Sequence, residues 1–373
     1  MTDATHTRAR TRTMDAQTLD PPRRILFSWT ITAYLRTRPP RAVVRVRRFD
    51  ATMGAVLAAC GRARVSSVLA NDGDDDGDDD DWWMIGVRDV TRAFINAYYD
   101  TATTREDDDD DDDDDAAHAR AHADDFYDEF WRSSAWEYGR RASVMRERHA
   151  TSRTLLDVVD ALRDEPLVVV NVVDGGRVVD VITRFDIVEF LHRHVKILGD
   201  ITTALVSRLF RAKNVLRAPA RASALACVRD MVREDVSAIA LTDDDGGEIC
   251  ANFSINDLRR IESPAALARL CSCSALEFVS SARSREADFS DADVAPFADE
   301  RRRSASSLAT PPTHAYVELI FARAECTTFG EVLALMHVHK VHRVYVLSKC
   351  VARDRDVCAN VLTPTDVIRA LAI

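Results

Sequence analysis

The chain has 373 residues, 46% of them apolar, with 61 acids against 50 Lys and Arg and a formal charge of −11. That length and apolar content exclude both a single small module and a wholly disordered chain, and no apolar run approaches the roughly 18 residues of a membrane span. Eight acids crowd into residues 72–81 and ten into 106–115; without them 43 acids face the 50 bases, so the acidity is two solvated runs on a mildly basic body and does not imply basic partners.

Residues 1–48 hold 11 Arg, many Thr and three acids. This composition fits an organellar transit peptide. The competing reading is a tail to about residue 20 that leads into the first helix and strand. A first strand-and-helix unit then follows, with a helix predicted over 52–60, a strand over 65–69 and a returning strand over 82–87. The Asp/Gly run between those strands reads as an inserted hairpin tip. Gly86-Val-Arg-Asp89 closes the unit, with Arg64 as a candidate base beside Asp89. The aromatic segment 126–138 reads as a helix that caps this part of the chain, and its flank 116–143 reads as loop.

The second unit is the clearest. Leu155, Leu156, Val158, Val159 and Leu162 form the apolar face of a predicted helix, and 167–173 is a β-branched run typical of a buried strand. Asp174-Gly-Gly is a hairpin turn signal, 177–182 is the returning strand, and Thr183-Arg-Phe-Asp186 opens a helix. The third unit repeats this order: helix 223–232, strand 236–241, an Asp/Gly turn, strand 249–253, and Ser254-Ile-Asn-Asp257 at a helix start. After a Ser-, Arg- and Asp-rich stretch at 275–314, read as a flexible insertion, the fourth unit has helix 329–339, strand 341–347, a longer turn, strand 357–362, and Thr363-Pro-Thr-Asp366. Pro364 falls at the first helical position, where its missing N–H costs nothing.

Eight Cys form no C-x-x-C pair and no zinc spacing with His, and no secretory apolar segment opens the chain, so reduced thiols are expected. Asp72-Gly-Asp-Asp-Asp-Gly77 begins like a calcium loop, but its twelfth position is Trp83 rather than Glu. His118 with His122, and the group His337, His339 and His342, complete no metal site, so none is expected. No glycine-rich phosphate loop and no G-x-S-x-G is present, and the repeats leave no room for a catalytic domain. The expectation is therefore a non-enzyme. Arg301-Arg-Arg303 beside Ser304, Ser306 and Ser307 reads as a linker or a basophilic phosphorylation site.

A strand-helix-strand-strand-helix unit ending in Ser/Thr-x-x-Asp resembles the CBS (cystathionine-β-synthase) domain. Four copies in one chain resemble the gamma regulatory subunits of AMP-activated and related protein kinases. Asn252-Phe-Ser-Ile-Asn-Asp-Leu258 and Val341-His-Arg-Val-Tyr-Val346 carry that second likeness. The resemblance implies an α+β fold of four CBS repeats in two tandem pairs (Bateman modules). The first pair spans 30–197, with repeats at about 42–100 and 144–197. The second spans 212–373, with repeats at about 212–264 and 315–373. Residues 1–29 remain as a disordered or targeting tail.

The resemblance also implies that Asp89, Asp186, Asp257 and Asp366 hold the ribose of an adenine nucleotide (AMP, ADP or ATP). Thr183, Ser254 and Thr363 would cap the helix or meet phosphate, and His342 and Arg343 would neutralise phosphate as bases from a neighbouring repeat, with repeat four the best site and repeat three next. Repeat one lacks the hydroxyl at Gly86, and repeat two carries Glu165-Pro166 where a basic pair belongs. The implied partners are kinase catalytic and scaffold subunits, with no nucleic acid and no membrane, in the cytoplasm or nucleus. Two other readings stay open: an interaction scaffold with empty clefts, and a regulator that binds another adenosyl ligand such as S-adenosylmethionine.

Overall fold

The computed structural model describes residues 20–38, 43–47, 50–63, 65–71, 82–103, 125–138, 140–141, 149–150, 153–164, 169–174, 177–243, 248–281, 319–350 and 355–371. The acidic runs, Arg64, Glu165 and Pro166, His118 and His122, and the basic-serine stretch lie outside them.

Four small sheets are built to one plan. Repeat one contains β1 (Arg45–Arg47), β2 (Ser67–Asn71) and β3 (Trp82–Gly86), with β4 (Arg140–Arg141) added antiparallel at the edge. Repeat two contains β5 (His149–Ala150), β6 (Val169–Asp174) and β7 (Arg177–Thr183). Repeat three contains β8 (Arg217–Pro219), β9 (Ala238–Thr242) and β10 (Ile249–Ser254), and repeat four β11 (Phe321–Arg323), β12 (Val344–Cys350) and β13 (Arg355–Leu362). In each, the first strand runs parallel to the second and the second antiparallel to the third. A parallel pair needs a crossover, and a helix supplies it each time: Met53–Ala63, Leu155–Asp164, Ala224–Arg233 and Phe329–His339.

The fourth crossover shows why such a segment is helical. Thr328 and Glu331 form a reciprocal capping box, with the Thr328 amide and hydroxyl donating to Glu331 at 2.8 and 3.0 Å. Phe329, Val332, Leu333 and Met336 recur at helical spacing and are all buried. Lys340 ends the helix in the left-handed conformation, φ 52°, and Asp235 does the same after the third crossover, φ 51°.

The segments that complete each repeat come from different places. An isolated bridge ties the start of each crossover helix to an outside strand: Thr52 to Ser134, Thr154 to Thr30, Ser223 to Ser274 and Thr328 to Leu205. Repeats one and three are thus closed by chain that follows them, and repeats two and four by chain that precedes them. The boundary expected at residue 29 moves accordingly. Helix Pro21–Ser28, capped by Asp20 and started by prolines, buries Ile25 and Leu26 against repeat two. The insertion expected from 275 also begins later, because Ala275, Phe278 and Val279 are buried in a helix over 275–281. The aromatic helix expected at 126–138 is present over 125–132, with Tyr127 and Phe130 buried. Its Trp131 ring covers Gly54 so closely that a Cβ there would lie 2.2 Å from the indole.

Two apolar cores result, and each joins alternate repeats. One gathers helices and sheets of repeats one and three, including Val56, Phe94, Phe253 and Leu258; the other gathers repeats two and four, including Leu155, Phe190, Phe329 and Val367. Each junction also carries an ion pair at its left-handed helix end, with the signs reversed. Asp235 of repeat three meets Arg88 at 2.5 Å and Arg92 at 3.2 Å, whereas Lys340 of repeat four meets Glu189 of repeat two at 2.5 Å. Such exposed pairs are worth at most about 1 kcal/mol each. Their reversed signs place like charges together in the wrong pairing of repeats, which is how specificity is commonly enforced.

His192 and His337 stack across the junction of repeats two and four, with centroids 4.4 Å apart. Burial first, and then Lys340 and Arg193, hold both imidazoles below their ordinary value, while Glu189, 3.6 Å from His337, pulls the other way. A histidine whose pKa is lowered by folding binds protons more readily when unfolded. Its contribution is therefore intact above about pH 6.5 and lost as the pH falls below that. The urea midpoint is expected to drop between pH 7 and pH 5.5, and His192→Gln should flatten that dependence. A pH-independent midpoint would contradict the stack as described.

Candidate nucleotide site

The sequence motif becomes one geometry in three repeats. At Thr183, Ser254 and Thr363 the backbone amide and the hydroxyl both donate to Oδ2 of the Asp three residues on. The distances are 2.7 and 2.7 Å to Asp186, 2.8 and 3.0 Å to Asp257, and 2.9 and 2.8 Å to Asp366. All three carboxylates are nearly out of water yet sit at a helix start, where the backbone dipole favours negative charge. In repeat one Asp89 accepts from the Gly86 amide at 2.9 Å; with glycine there, no side-chain hydroxyl joins it. One element differs from expectation. Ser254-Ile-Asn-Asp257 opens only a short 3₁₀ helix, Ile255–Arg260, because Pro264 holds Ser263 extended and the α-helix restarts at Pro264.

The second oxygen of the motif carboxylate points toward bases from other parts of the chain. Asp186 Oδ1 accepts from Arg38 at 3.2 Å, and Arg38 also binds Asp180 at 2.6 Å and the Val181 carbonyl at 3.1 Å. Asp366 Oδ1 accepts from Lys213. Arg38 and Lys213 both lie in the chain just before the first strand of an odd-numbered repeat, β1 and β8, and reach an even-numbered repeat. Sequence reading missed both. Lys213 did leave a trace, since the chain has only four Lys, and two of them, Lys213 and Lys340, make cross-repeat ion pairs.

His342 and Arg343, the bases expected to neutralise phosphate from a neighbouring repeat, both reach out of repeat four. The His342 ring lies against Phe185 of repeat two at 4.7 Å. Arg343 crosses to repeat three, donating to the Ser237 carbonyl and hydroxyl at 2.9 and 2.7 Å with Asp257 in its field, and the neighbouring Tyr345 hydroxyl donates to Asn252 at 2.8 Å. His342 keeps surface open to solvent, yet burial, helped by Arg343 and Arg259, pushes its imidazole down to about 4. Asp186 acts in the opposite direction, so the charged groups beside His342 are Arg343, Arg259 and Asp186.

Solved structures share this arrangement of repeats. Protein MJ1225 of Methanocaldococcus jannaschii, described as a suggested archaeal homologue of g-AMPK, aligns over 90% of this chain and 98% of its own at TM-score 0.57 and 11% identity. The fold is that of tandem CBS domains. Single CBS pairs align over less of the chain. The pair of MJ0100, crystallised with 5-methylthioadenosine and S-adenosyl-L-methionine, matches 46% of this chain and 97% of its own (TM-score 0.29, 13% identity). CBSX2, crystallised with AMP, matches 45% and 96% (TM-score 0.28, 15% identity). No protein-family model and no curated protein sequence matches the chain. Among the described residues, no group of three His, Cys, Asp or Glu is arranged to hold a metal, and no helix is long and apolar enough to cross a membrane.

Proposed function

We propose that the chain is a non-catalytic regulatory subunit that binds AMP, ADP or ATP and biases a serine/threonine protein kinase in the cytoplasm or nucleus. The observation that carries this reading is the three-fold recurrence of a nearly buried carboxylate with one oxygen fixed by its helix cap; in repeats two and four its other oxygen accepts from a base of another part of the chain. A ribose offers two adjacent hydroxyl donors to such an oxygen, and a charge-assisted bond of this kind is worth about 1.5–3 kcal/mol. Arg343 and Arg259, beside Asp257, supply the positive charge a phosphate needs. The likeness to MJ1225 across most of the chain supports the same reading.

Regulation then requires only that the nucleotide bind one conformation of the complex better than another, and a tenfold preference supplies about 1.4 kcal/mol. The test is calorimetric titration of the full chain with AMP, ADP, ATP and S-adenosylmethionine. Arg343→Met is expected to weaken adenylate binding about tenfold or more, with an unchanged response to S-adenosylmethionine, which carries no phosphate. Saturable binding of the phosphate-free ligand alone would favour the other adenosyl reading. No binding to folded protein freed of co-purified ligand would favour the scaffold reading, which draws support from the bases already seated on Asp186 and Asp366.

A further inference from the structure

Repeats two and four hold their motif carboxylates in the same way and differ in the incoming base, Arg38 or Lys213, and in one residue beside it. Three residues before the capping Thr stands Asp180 in repeat two and Asn360 in repeat four. Both accept from the next residue's amide, Val181 at 2.6 Å and Val361 at 2.8 Å, which fixes their equivalence. Both are nearly buried. The charge at this position decides how the incoming base is held. In repeat two, Arg38 is gripped by Asp180, Asp186 and the Val181 carbonyl, and its side chain is only 5% exposed. In repeat four, Asn360 spends its amide on the Arg211 carbonyl at 2.9 Å, and Lys213 meets Asp366 with its side chain 42% exposed.

From this exchange we infer that repeat two is closed by Arg38, a cation built into the chain, and that repeat four is the openable member of the pair. This deepens the nucleotide reading and rests on it. An adenylate ribose reaching Asp366 displaces one half-exposed lysine from one carboxylate. At Asp186 it would have to expel an arginine that neutralises two buried carboxylates and leave Asp180 buried without its cation. Position 180/360 is thus the specificity determinant between the two clefts: an acid there closes the cleft, and an amide leaves it exchangeable.

The experiment counts bound adenylate per chain in the full-length protein by equilibrium dialysis with ATP and AMP. The double variant Arg38→Lys with Asp180→Asn gives repeat two the residues of repeat four, and it is expected to gain one equivalent over wild type. In the wild-type background, Asp366→Asn is expected to lose one equivalent. A double variant that folds with wild-type stoichiometry overturns the closure of repeat two. If neither wild type nor the double variant binds adenylate, the nucleotide reading falls. Closure is then judged on thermal unfolding of two further variants: a larger fall in Tm for Arg38→Met than for Lys213→Met keeps it, and equal falls overturn it.

Discussion

Arg38→Met lowers the free energy of unfolding by about 3–5 kcal/mol, the expected cost of removing one partner from a buried ion pair. The arginine is held at 2.6 Å by Asp180, at 3.2 Å by Asp186 and at 3.1 Å by the Val181 carbonyl, and none of the three side chains exceeds 9% exposure. The magnitude comes less from the lost attraction than from the two carboxylates left behind, close together and shut off from water. Urea unfolding of wild type and variant at pH 7 measures the gap. A gap below about 1 kcal/mol at pH 7, the value of an exposed pair, would mean that water reaches these groups.

Phe253→Ala carries a penalty of similar size, about 3–5 kcal/mol, because it empties a wholly buried aromatic site. Its reach distinguishes it from an ordinary core truncation. Phe253 belongs to repeat three, but the core it fills also contains Val56, Val90 and Phe94 of repeat one. Amide exchange should accelerate in helix Val87–Thr103 as well as in β9 and β10, while helices of repeats two and four keep their protection. Loss confined to repeat three would show that the two repeats unfold independently.

Much of the fold was legible because its signals are local. The capping hydroxyl and the Asp three residues later announce themselves in any window that contains them, and the bounds read for helix Phe329–His339 match the structure to the residue. The first strands were harder. β1, β8 and β11 are three residues each, too short to show alternation. The site was legible only as far as the carboxylates. Arg38, Lys213 and the real neighbours of His342 are chosen by how alternate repeats pack, and no spacing along the chain encodes that. The N-terminal helix Pro21–Ser28 escaped its assignment to repeat two for the same reason, since the whole of repeat one lies between them.

The alternate pairing of cores has a consequence for the chain while it is being made. When helix Val87–Thr103 leaves the ribosome, the surface that will cover Val90 and Phe94 lies far downstream, around Phe253 and Leu258. At about 5–20 residues per second, the wait is on the order of ten to thirty seconds. Through that interval the apolar flank of repeat one waits for its cover, while the two acidic runs at 72–81 and 106–115, which bracket that helix in sequence, put like charge on every copy of the chain.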